Sequence, residues 1–106
     1  MAGHNWDPER AEFEWLEQKA RDNLQNHKVS FEEAQRVFCD LYAITGEDRI
    51  EGGEWRSVTI GMVPPRLQVI VVAYTVRQRG DRQVIRIISA RKANRKERRQ
   101  YGRQAR

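Results

Sequence analysis

The longest apolar run in the chain, RLQVIVVAYTV at residues 66–76, places the tightest limit on its fold. Valine, isoleucine and tyrosine are enriched in strands, and a run that is apolar at nearly every position predicts a central strand buried on both faces. RQRGD (77–81) follows, and its Gly80 is free to adopt a positive φ. We therefore predict a hairpin turn over residues 77–81 and a further strand, QVIRIISA, over residues 83–90.

Two more strands are predicted ahead of this pair. FEW at residues 13–15 is a candidate for a short first strand, and WRSVTIGMV at 55–63 is rich in β-branched residues. Pro64 and Pro65 end the second of these, because proline cannot donate to a strand ladder. Between the helical region and this strand, GEDRIEGGE (46–54) has the composition of an exposed loop.

A first helix is predicted from Glu17 to His27. Leu16, Ala20 and Leu24 recur every four residues and would form its apolar stripe. A row of polar residues with the same spacing borders that stripe, formed by Lys19, Asn23 and His27.

Two further helices are expected. In SFEEAQRVFCDLY (30–42), Ser30 and Glu33 fit a capping box, in which each side chain serves a free backbone N–H. The buried face of this helix would comprise Phe31, Ala34, Val37, Phe38 and Leu41. Residues 94–105 form a basic final helix, which Asn94 is placed to cap.

The predicted order is thus β-α-α-β-β-β-α, with two N-terminal helices, an antiparallel sheet of about four strands and a C-terminal helix. This is an α+β domain. A chain of 106 residues suits one domain, with a folded core over about residues 13–101 and flexible ends.

Composition narrows the classes of function. The lone cysteine, Cys39, excludes an internal disulfide and fits a reducing, cytoplasmic compartment. Two histidines and one cysteine are too few for the usual structural zinc sets, so we expect no metal and no cofactor. No apolar run approaches the roughly 20 residues that span a bilayer, so we expect no membrane association.

The net charge of +5 is unevenly distributed along the chain. Residues 1–76 contain eight lysines and arginines against thirteen acidic residues, whereas residues 77–106 contain twelve against two. A basic segment on an acidic body indicates a polyanionic partner or an acidic protein partner. A solvated basic helix with a frayed tail is the alternative interpretation.

Arg86 and Arg91 stand in or next to the apolar last strand, just before the final helix. Strict alternation would place them on opposite faces, although a bend at the strand end would bring them closer. Arginine offers a rigid fork of donors that matches a phosphate, and a helix N-terminus also attracts anions. The alternative is that Arg86 pairs with an acidic residue on a neighbouring strand.

Other candidate residues each have a structural alternative. His27 has the chemistry of a general acid or base, or of a residue at a helix C-terminus that bonds backbone carbonyls. Trp55 suits either the core or a stacking surface for a base. Glu97 and Tyr101, one helical turn apart, are compatible with ordinary packing and a surface ion pair.

Three segments together resemble a known family. The segments are similar, in this order, to the motifs of the BrnT-type toxins of type II toxin–antitoxin systems. They are KARDNLQNHKVSFEEAQRVFCD (19–40), GEWRSVTIG (53–61) and IRIISARKANRKERRQY (85–101). The similarity extends over about residues 13–101.

The resemblance implies a compact RelE-like fold and a metal-independent endoribonuclease that inhibits translation. It also implies a BrnA-like antitoxin with a ribbon-helix-helix DNA-binding part, assembled with the toxin in a hetero-oligomer. The RNA would be cleaved by attack of a ribose 2′-hydroxyl on the adjacent phosphate.

The resemblance also assigns roles to individual positions. The predicted catalytic residues are Lys19, His27, Arg86, Ser89 and Arg91. Among them, Arg86 and Arg91 would bind the phosphate, and His27 or Lys19 would transfer the proton. Predicted RNA or phosphate contacts are Arg56, Arg86, Arg91 and Arg98, and the remaining motif positions are Asn23, Glu54, Glu97 and Tyr101.

The chain departs from the family pattern at a few positions. Leu16 replaces an aspartate, Lys28 replaces a glycine, and Ile50-Glu51 replaces a His-Ser pair. A second hypothesis is therefore a catalytically weak or inactive module of the same fold, which binds RNA or an acidic antitoxin.

Overall fold

The computed structural model describes residues 11–51, 54–65 and 67–104, with residues 47–51 and 54–55 described by their backbone alone. The strands are β1 (Ala11–Glu14), β2 (Ile44–Glu51), β3 (Glu54–Val63), β4 (Gln68–Arg79) and β5 (Arg82–Lys92). The helices are α1 (Glu17–His27), α2 (Phe31–Gln35) and α3 (Arg95–Gln104), and a 3₁₀ turn at Arg36–Cys39 follows α2 directly. None of the helices in these ranges is long and apolar enough to cross a membrane.

The five strands form one mixed sheet in the order β1-β5-β4-β3-β2. The pairs β2–β3, β3–β4 and β4–β5 are antiparallel, whereas β1 pairs with β5 in parallel. The prediction that the long apolar run forms the central strand is confirmed, since β4 lies third of five. The predicted hairpin turn is confirmed at Gly80, whose φ is +65°, although both strands continue further toward the turn than expected.

The predicted loop at residues 46–54 is wrong, and so is the count of about four strands. Most of that segment belongs to β2 and to the start of β3, and the two strands pair from Ile44↔Ile60 to Glu51↔Glu54. Among the described strands, β2 lies at the edge of the sheet, next to β3. Edge strands tolerate glycine and charged residues, so their composition resembles that of a loop.

Helix α1 has the predicted bounds, but its predicted apolar stripe is only partly correct. Ala20 packs against the core, whereas the side chains of Leu16 and Leu24 are half exposed. Asn23, predicted to lie beside the stripe, is 6% exposed and faces inward. Its hydrogen bonds to the backbone of Val29 and Ala90 fix the rotation of the helix.

The predicted second helix is shorter than expected. The Ser30–Glu33 capping box is present, but α-helical geometry ends at Gln35, and the 3₁₀ turn ends at Cys39 with Asp40 as its C-cap. The Asp40 carboxylate accepts hydrogen bonds from the backbone N–H groups of Tyr42 and Met62, which stops the helix there. Leu41, predicted to be buried, is consequently 92% exposed.

The sheet is covered on both faces. One face packs against α1, α2 and the 3₁₀ turn through Phe31, Val37, Phe38, Val72 and Tyr74, among others. The other face packs in part against α3 and the residue before its N-cap, through Ile60, Val71, Ala93 and Tyr101. We call this second side the α3 face.

A bulge in β5 changes the predicted alternation of its side chains. Tyr74 on β4 pairs with Ile87 and Ala73 pairs with Ser89, so Ile88 is an extra residue in the ladder. The extra residue reverses the alternation beyond it, and Ile87 and Ala90 therefore both belong to the core under α1 and α2. Arg86 and Arg91 accordingly lie on the same face, contrary to strict alternation.

Candidate active site

A cavity of about 140 Å³ lies where α1 begins beside strands β3, β4 and β5. Its lining residues are Leu16, Lys19, Arg56, Thr75, Arg77, Arg86, Ile87 and Ile88. Three of the residues predicted for the site, Lys19, Arg56 and Arg86, come from three different elements and meet here. The described lining contains four cationic side chains and no carboxylate, which suits an anion.

The register of the sheet brings together two of the predicted arginines, Arg56 and Arg86. Thr75 on β4 stands directly opposite Arg86 on β5. On the other side of β4, Ser57 pairs with Tyr74, and continuing that antiparallel register places Arg56 beside Thr75. The three side chains therefore form a row across the α3 face, with the threonine between the two arginines.

Arg86 also pairs with an acidic residue on a neighbouring strand, as the structural alternative predicted. Its Nε lies 3.7 Å from Oε2 of Glu14, which is its register partner on β1. Oε1 of Glu14 also lies 3.8 Å from Nη2 of Arg79, so the charge of this carboxylate is shared between two arginines. Both separations exceed hydrogen-bonding distance, and the Arg86 side chain remains 36% exposed at the cavity.

Arg91 lies at a second polar cluster, at the start of α3. Its two terminal nitrogens bond the two carboxylate oxygens of Glu97 at 2.7 and 2.8 Å. The Glu97 carboxylate also accepts from the backbone N–H of Asn94, whose side chain accepts from the backbone N–H of Glu97. The predicted N-cap at Asn94 is confirmed. The hydrogen bonds from Arg91 are the main cause that lowers the pKa of Glu97 below its ordinary value of 4.5.

Tyr101 connects α3 to the far end of the 3₁₀ turn. Its hydroxyl donates to Oδ2 of Asp40 at 2.6 Å, the same oxygen that accepts from the Met62 N–H. Burial first, and then the Asp40 carboxylate, raise the pKa of Tyr101 far above its ordinary value. Gly61 allows the 3₁₀ turn to lie close to β3, because a Cβ at this position would lie 2.8 Å from Val37 Cγ1.

Asn23 connects α1 to β5 and to the loop that follows the helix. Its amide nitrogen donates to the carbonyl oxygens of Val29 and Ala90, and its carbonyl oxygen accepts from the Ala90 N–H at 3.0 Å. All of its described hydrogen bonds are to backbone groups, so Asn23 stabilises the fold.

The remaining predicted residues whose side chains the structure describes do not line the cavity. His27 is exposed at the last position of α1, eight residues and therefore about 12 Å along the helix axis from Lys19. Ser89 is exposed, and Arg98 donates to the carbonyl oxygen of Ala93 at 2.8 Å. The side chains of Glu54, Trp55 and Ile50-Glu51 lie outside the described residues.

Sequence reasoning missed two residues next to the cavity. Thr75 lies within the apolar run and carries the hydroxyl closest to Arg86 in the register, but threonine is ordinary in strands. Glu14 lies in the predicted first strand, and its partner became identifiable only when β1 was seen to pair in parallel with β5.

Fold and cavity together define a small α+β domain with a cationic site on its sheet. A family model described as "Ribonuclease toxin, BrnT, of type II toxin-antitoxin system" matches residues 15–97. The chain therefore belongs to this family of ribonuclease toxins, which implies an RNA target and an antitoxin partner. The matched span includes Lys19, Arg56 and Arg86. Comparison with curated proteins gave no match.

Proposed function

We propose that the protein is a metal-independent endoribonuclease and that the cavity at Arg86 holds the scissile phosphate. The observation that carries this proposal is the convergence of Lys19, Arg56 and Arg86, from α1, β3 and β5, on one small cavity. Its volume is below the roughly 300 Å³ at which pockets begin to enclose whole small-molecule ligands. A phosphate group occupies it, and the sugar and base lie outside.

The reaction begins with the ribose 2′-hydroxyl next to that phosphate. The 2′-oxygen loses its proton to a base and attacks phosphorus, and the bond to the 5′-oxygen of the following nucleotide breaks. That leaving oxygen takes up a proton, and the other product ends in a 2′,3′-cyclic phosphate. No proton is gained or lost overall.

Arg86 and Arg56 stabilise the negative charge that grows on the non-bridging oxygens as the 2′-oxygen attacks. Guanidinium groups held in place beforehand are effective at this because they need little reorganisation during the reaction. Glu14 attracts Arg86 across 3.7 Å without a hydrogen bond, which keeps the guanidinium group near the cavity and leaves its donors to the phosphate.

Lys19 is the better placed of the two predicted proton-transfer residues. It lines the cavity, whereas His27 is two helical turns away. A lysine ammonium group carries three donors, so we assign Lys19 to deliver the proton to the leaving 5′-oxygen.

The antitoxin is proposed to be BrnA-like, with a ribbon-helix-helix DNA-binding part, and to bind the RelE-like toxin as a hetero-oligomer in the cytoplasm. We propose that it inhibits by covering the cationic cavity, so that RNA and antitoxin exclude one another. Free toxin would then cleave RNA and stop translation.

One observation favours a second candidate function, a module that binds RNA or an acidic antitoxin without cutting. Glu14 lies within 4 Å of both Arg86 and Arg79, so part of the positive charge beside the cavity is already neutralised. Binding of RNA without cleavage would identify this function.

The test is single-turnover cleavage of a labelled RNA by purified protein in EDTA, with Arg86→Ala as the test variant. Arg82→Ala is a matched control, because Arg82 also lies on β5 and pairs with a β1 glutamate, Glu12, but does not line the cavity. We expect Arg86→Ala to lower the rate by about 10²–10³-fold, as loss of one oxyanion donor does in other enzymes.

The control distinguishes the loss of a cavity arginine from the loss of any positive charge on β5. Arg82→Ala is expected to cleave at nearly the wild-type rate, since an exposed ion pair contributes about 0–1 kcal/mol to stability. Equal cleavage by wild type and Arg86→Ala would refute the assignment of the phosphate to this cavity. RNA binding without cleavage by the wild type would establish the second function.

A further inference from the structure

Thr75 carries a buried hydroxyl group without a hydrogen-bond partner in the part of the chain that the structure describes. The residue is 5% exposed, and its Oγ1 has no hydrogen-bond partner among the described residues. Buried polar atoms in folded proteins nearly always have a partner. Thr59 on β3 shows the usual situation, since its hydroxyl lies 2.7 Å from the Tyr74 hydroxyl and 3.0 Å from that of Thr45.

The position of Thr75 indicates what the partner is. The residue lines the cavity and stands in the register between Arg56 and Arg86. An anion held by the two arginines would therefore lie beside this hydroxyl. Because the hydroxyl group is neutral, it can donate a hydrogen bond to that anion without adding charge to the site.

We propose that the Thr75 hydroxyl is a substrate-binding group, which donates a hydrogen bond to a non-bridging oxygen of the scissile phosphate. This inference rests on the proposed function of the cavity and adds a neutral donor to its arginines. A hydroxyl that donates to an anion makes a short, strong bond. It also explains why a strand position amid valines and tyrosine carries a hydroxyl group that no described residue bonds.

The proposal predicts an unusual pair of effects for Thr75→Val, which removes the hydroxyl and keeps the shape of the side chain. The melting temperature should be unchanged or higher, because no hydrogen bond within the described protein is lost. RNA cleavage should fall by about 10- to 100-fold, the range that one hydrogen bond to a charged group supplies. Thr75→Ser should retain most of the wild-type rate.

Thr59→Val is the matched control, because it removes a buried threonine hydroxyl that does have partners. Its melting temperature should fall, while the cleavage rate of the folded fraction stays near that of the wild type. Rates are measured in EDTA under single-turnover conditions, and melting is followed by circular dichroism. Binding of a fluorescent DNA oligonucleotide, which offers phosphates but no 2′-hydroxyl, is measured by anisotropy.

The outcomes separate this inference from the proposed function. If Thr75→Val cleaves like the wild type while Arg86→Ala does not, the cavity is catalytic and the Thr75 contact is refuted. A lower melting temperature for Thr75→Val would also overturn it, since the hydroxyl would then serve the fold. If the wild type does not cleave, weaker DNA binding by Thr75→Val than by Thr75→Ser supports the contact, and equal binding overturns it.

Discussion

The cavity and the start of α3 each contain an arginine from β5, yet the two arginines have different surroundings. Arg91 bonds both oxygens of Glu97 at 2.7 and 2.8 Å, and that carboxylate also caps the helix. Arg86 lies 3.7 Å from Glu14 and faces a cavity that four cationic side chains line. The two arginines, five positions apart on β5, thus differ in role. Arg91 stabilises the fold, whereas Arg86 is available to a ligand.

The contrast extends to the other residues of the family motifs. Asn23 and Tyr101 are buried and bonded to protein groups, as Arg91 and Glu97 are bonded to each other. Lys19, Arg56 and Arg86 meet at the cavity. Changes in the first group should therefore alter stability and leave the chemistry of the folded protein intact, whereas changes at the cavity should do the reverse.

The largest effect on stability is expected for Asn23→Ala. The change leaves the Ala90 N–H and two backbone carbonyls without their partner in a buried place, which should cost about 3 kcal/mol in the free energy of unfolding. Urea denaturation measures the loss. Asn26→Ala, at an exposed position of the same helix, is the control and should change stability little.

Cleavage by the folded fraction of Asn23→Ala should match that of the wild type. If Asn23→Ala stays stable but no longer cleaves RNA, Asn23 belongs to the active site. The distinction between residues that stabilise the fold and residues of the cavity would then be wrong.

Tyr101→Phe should have the next largest effect. It removes one hydrogen bond to the Asp40 carboxylate, which retains its two backbone donors, and should cost about 2 kcal/mol. The effect also depends on pH. Because the folded state raises the pKa of Tyr101, its stabilisation is complete below the ordinary value of 10 and is lost as pH rises above it.

The wild type should therefore lose stability above about pH 10 more steeply than Tyr101→Phe does, as measured by urea denaturation at a series of pH values. Tyr42→Phe, at a half-exposed tyrosine, is the control and should stay close to the wild type, because Tyr42 is the smallest of the causes that raise the pKa of Tyr101. Parallel curves for wild type and Tyr101→Phe would contradict the shifted pKa.

Leu16 has a part in both the fold and the cavity, because it is the N-cap of α1 and also lines the cavity. Its side chain makes no capping hydrogen bond, so Leu16→Asn and Leu16→Asp should each stabilise the protein by about 1 kcal/mol. The aspartate alone adds negative charge beside the cationic cavity. RNA binding by Leu16→Asp should therefore be weaker than by Leu16→Asn, with a difference that shrinks as salt is added.

Anisotropy titrations at low and high salt measure that difference, and thermal melting measures the cap. Identical RNA affinities for the two variants at low salt would show that the cavity does not bind the phosphate.

The smallest effect is expected for Lys28→Gly. Lys28 ends α1 with φ at +60°, in the left-handed region that favours glycine. The substitution should therefore stabilise the protein by about 0.5–1 kcal/mol and leave cleavage unchanged. Gly80→Ala, at φ +65° in the β4–β5 turn, is the opposite change and should destabilise. A destabilised Lys28→Gly would indicate that the lysine side chain makes contacts that outweigh the backbone strain.

Much of the fold was predictable because local patterns carry it. The apolar run of β4, the Ser30 capping box and the Asn94 cap each depend on neighbouring residues alone, and each was confirmed. Edge strand β2 was mistaken for a loop because its pairing with β3 leaves little trace in its composition. The burial of Asn23 and the exposure of Leu24 escaped prediction, because hydrogen bonds to distant Ala90 set the rotation of α1.

The sequence by itself determined the class of fold, the basic C-terminal segment and the motif residues that mark the toxin family. Only the tertiary structure decided which of those residues meet. The parallel pairing of β1 with β5 places Glu14 beside Arg86, and the bulge at Ile88 brings Arg86 and Arg91 to one face. The physical reason is that a site depends on strand register and bulges, which long-range pairing fixes and local sequence does not encode.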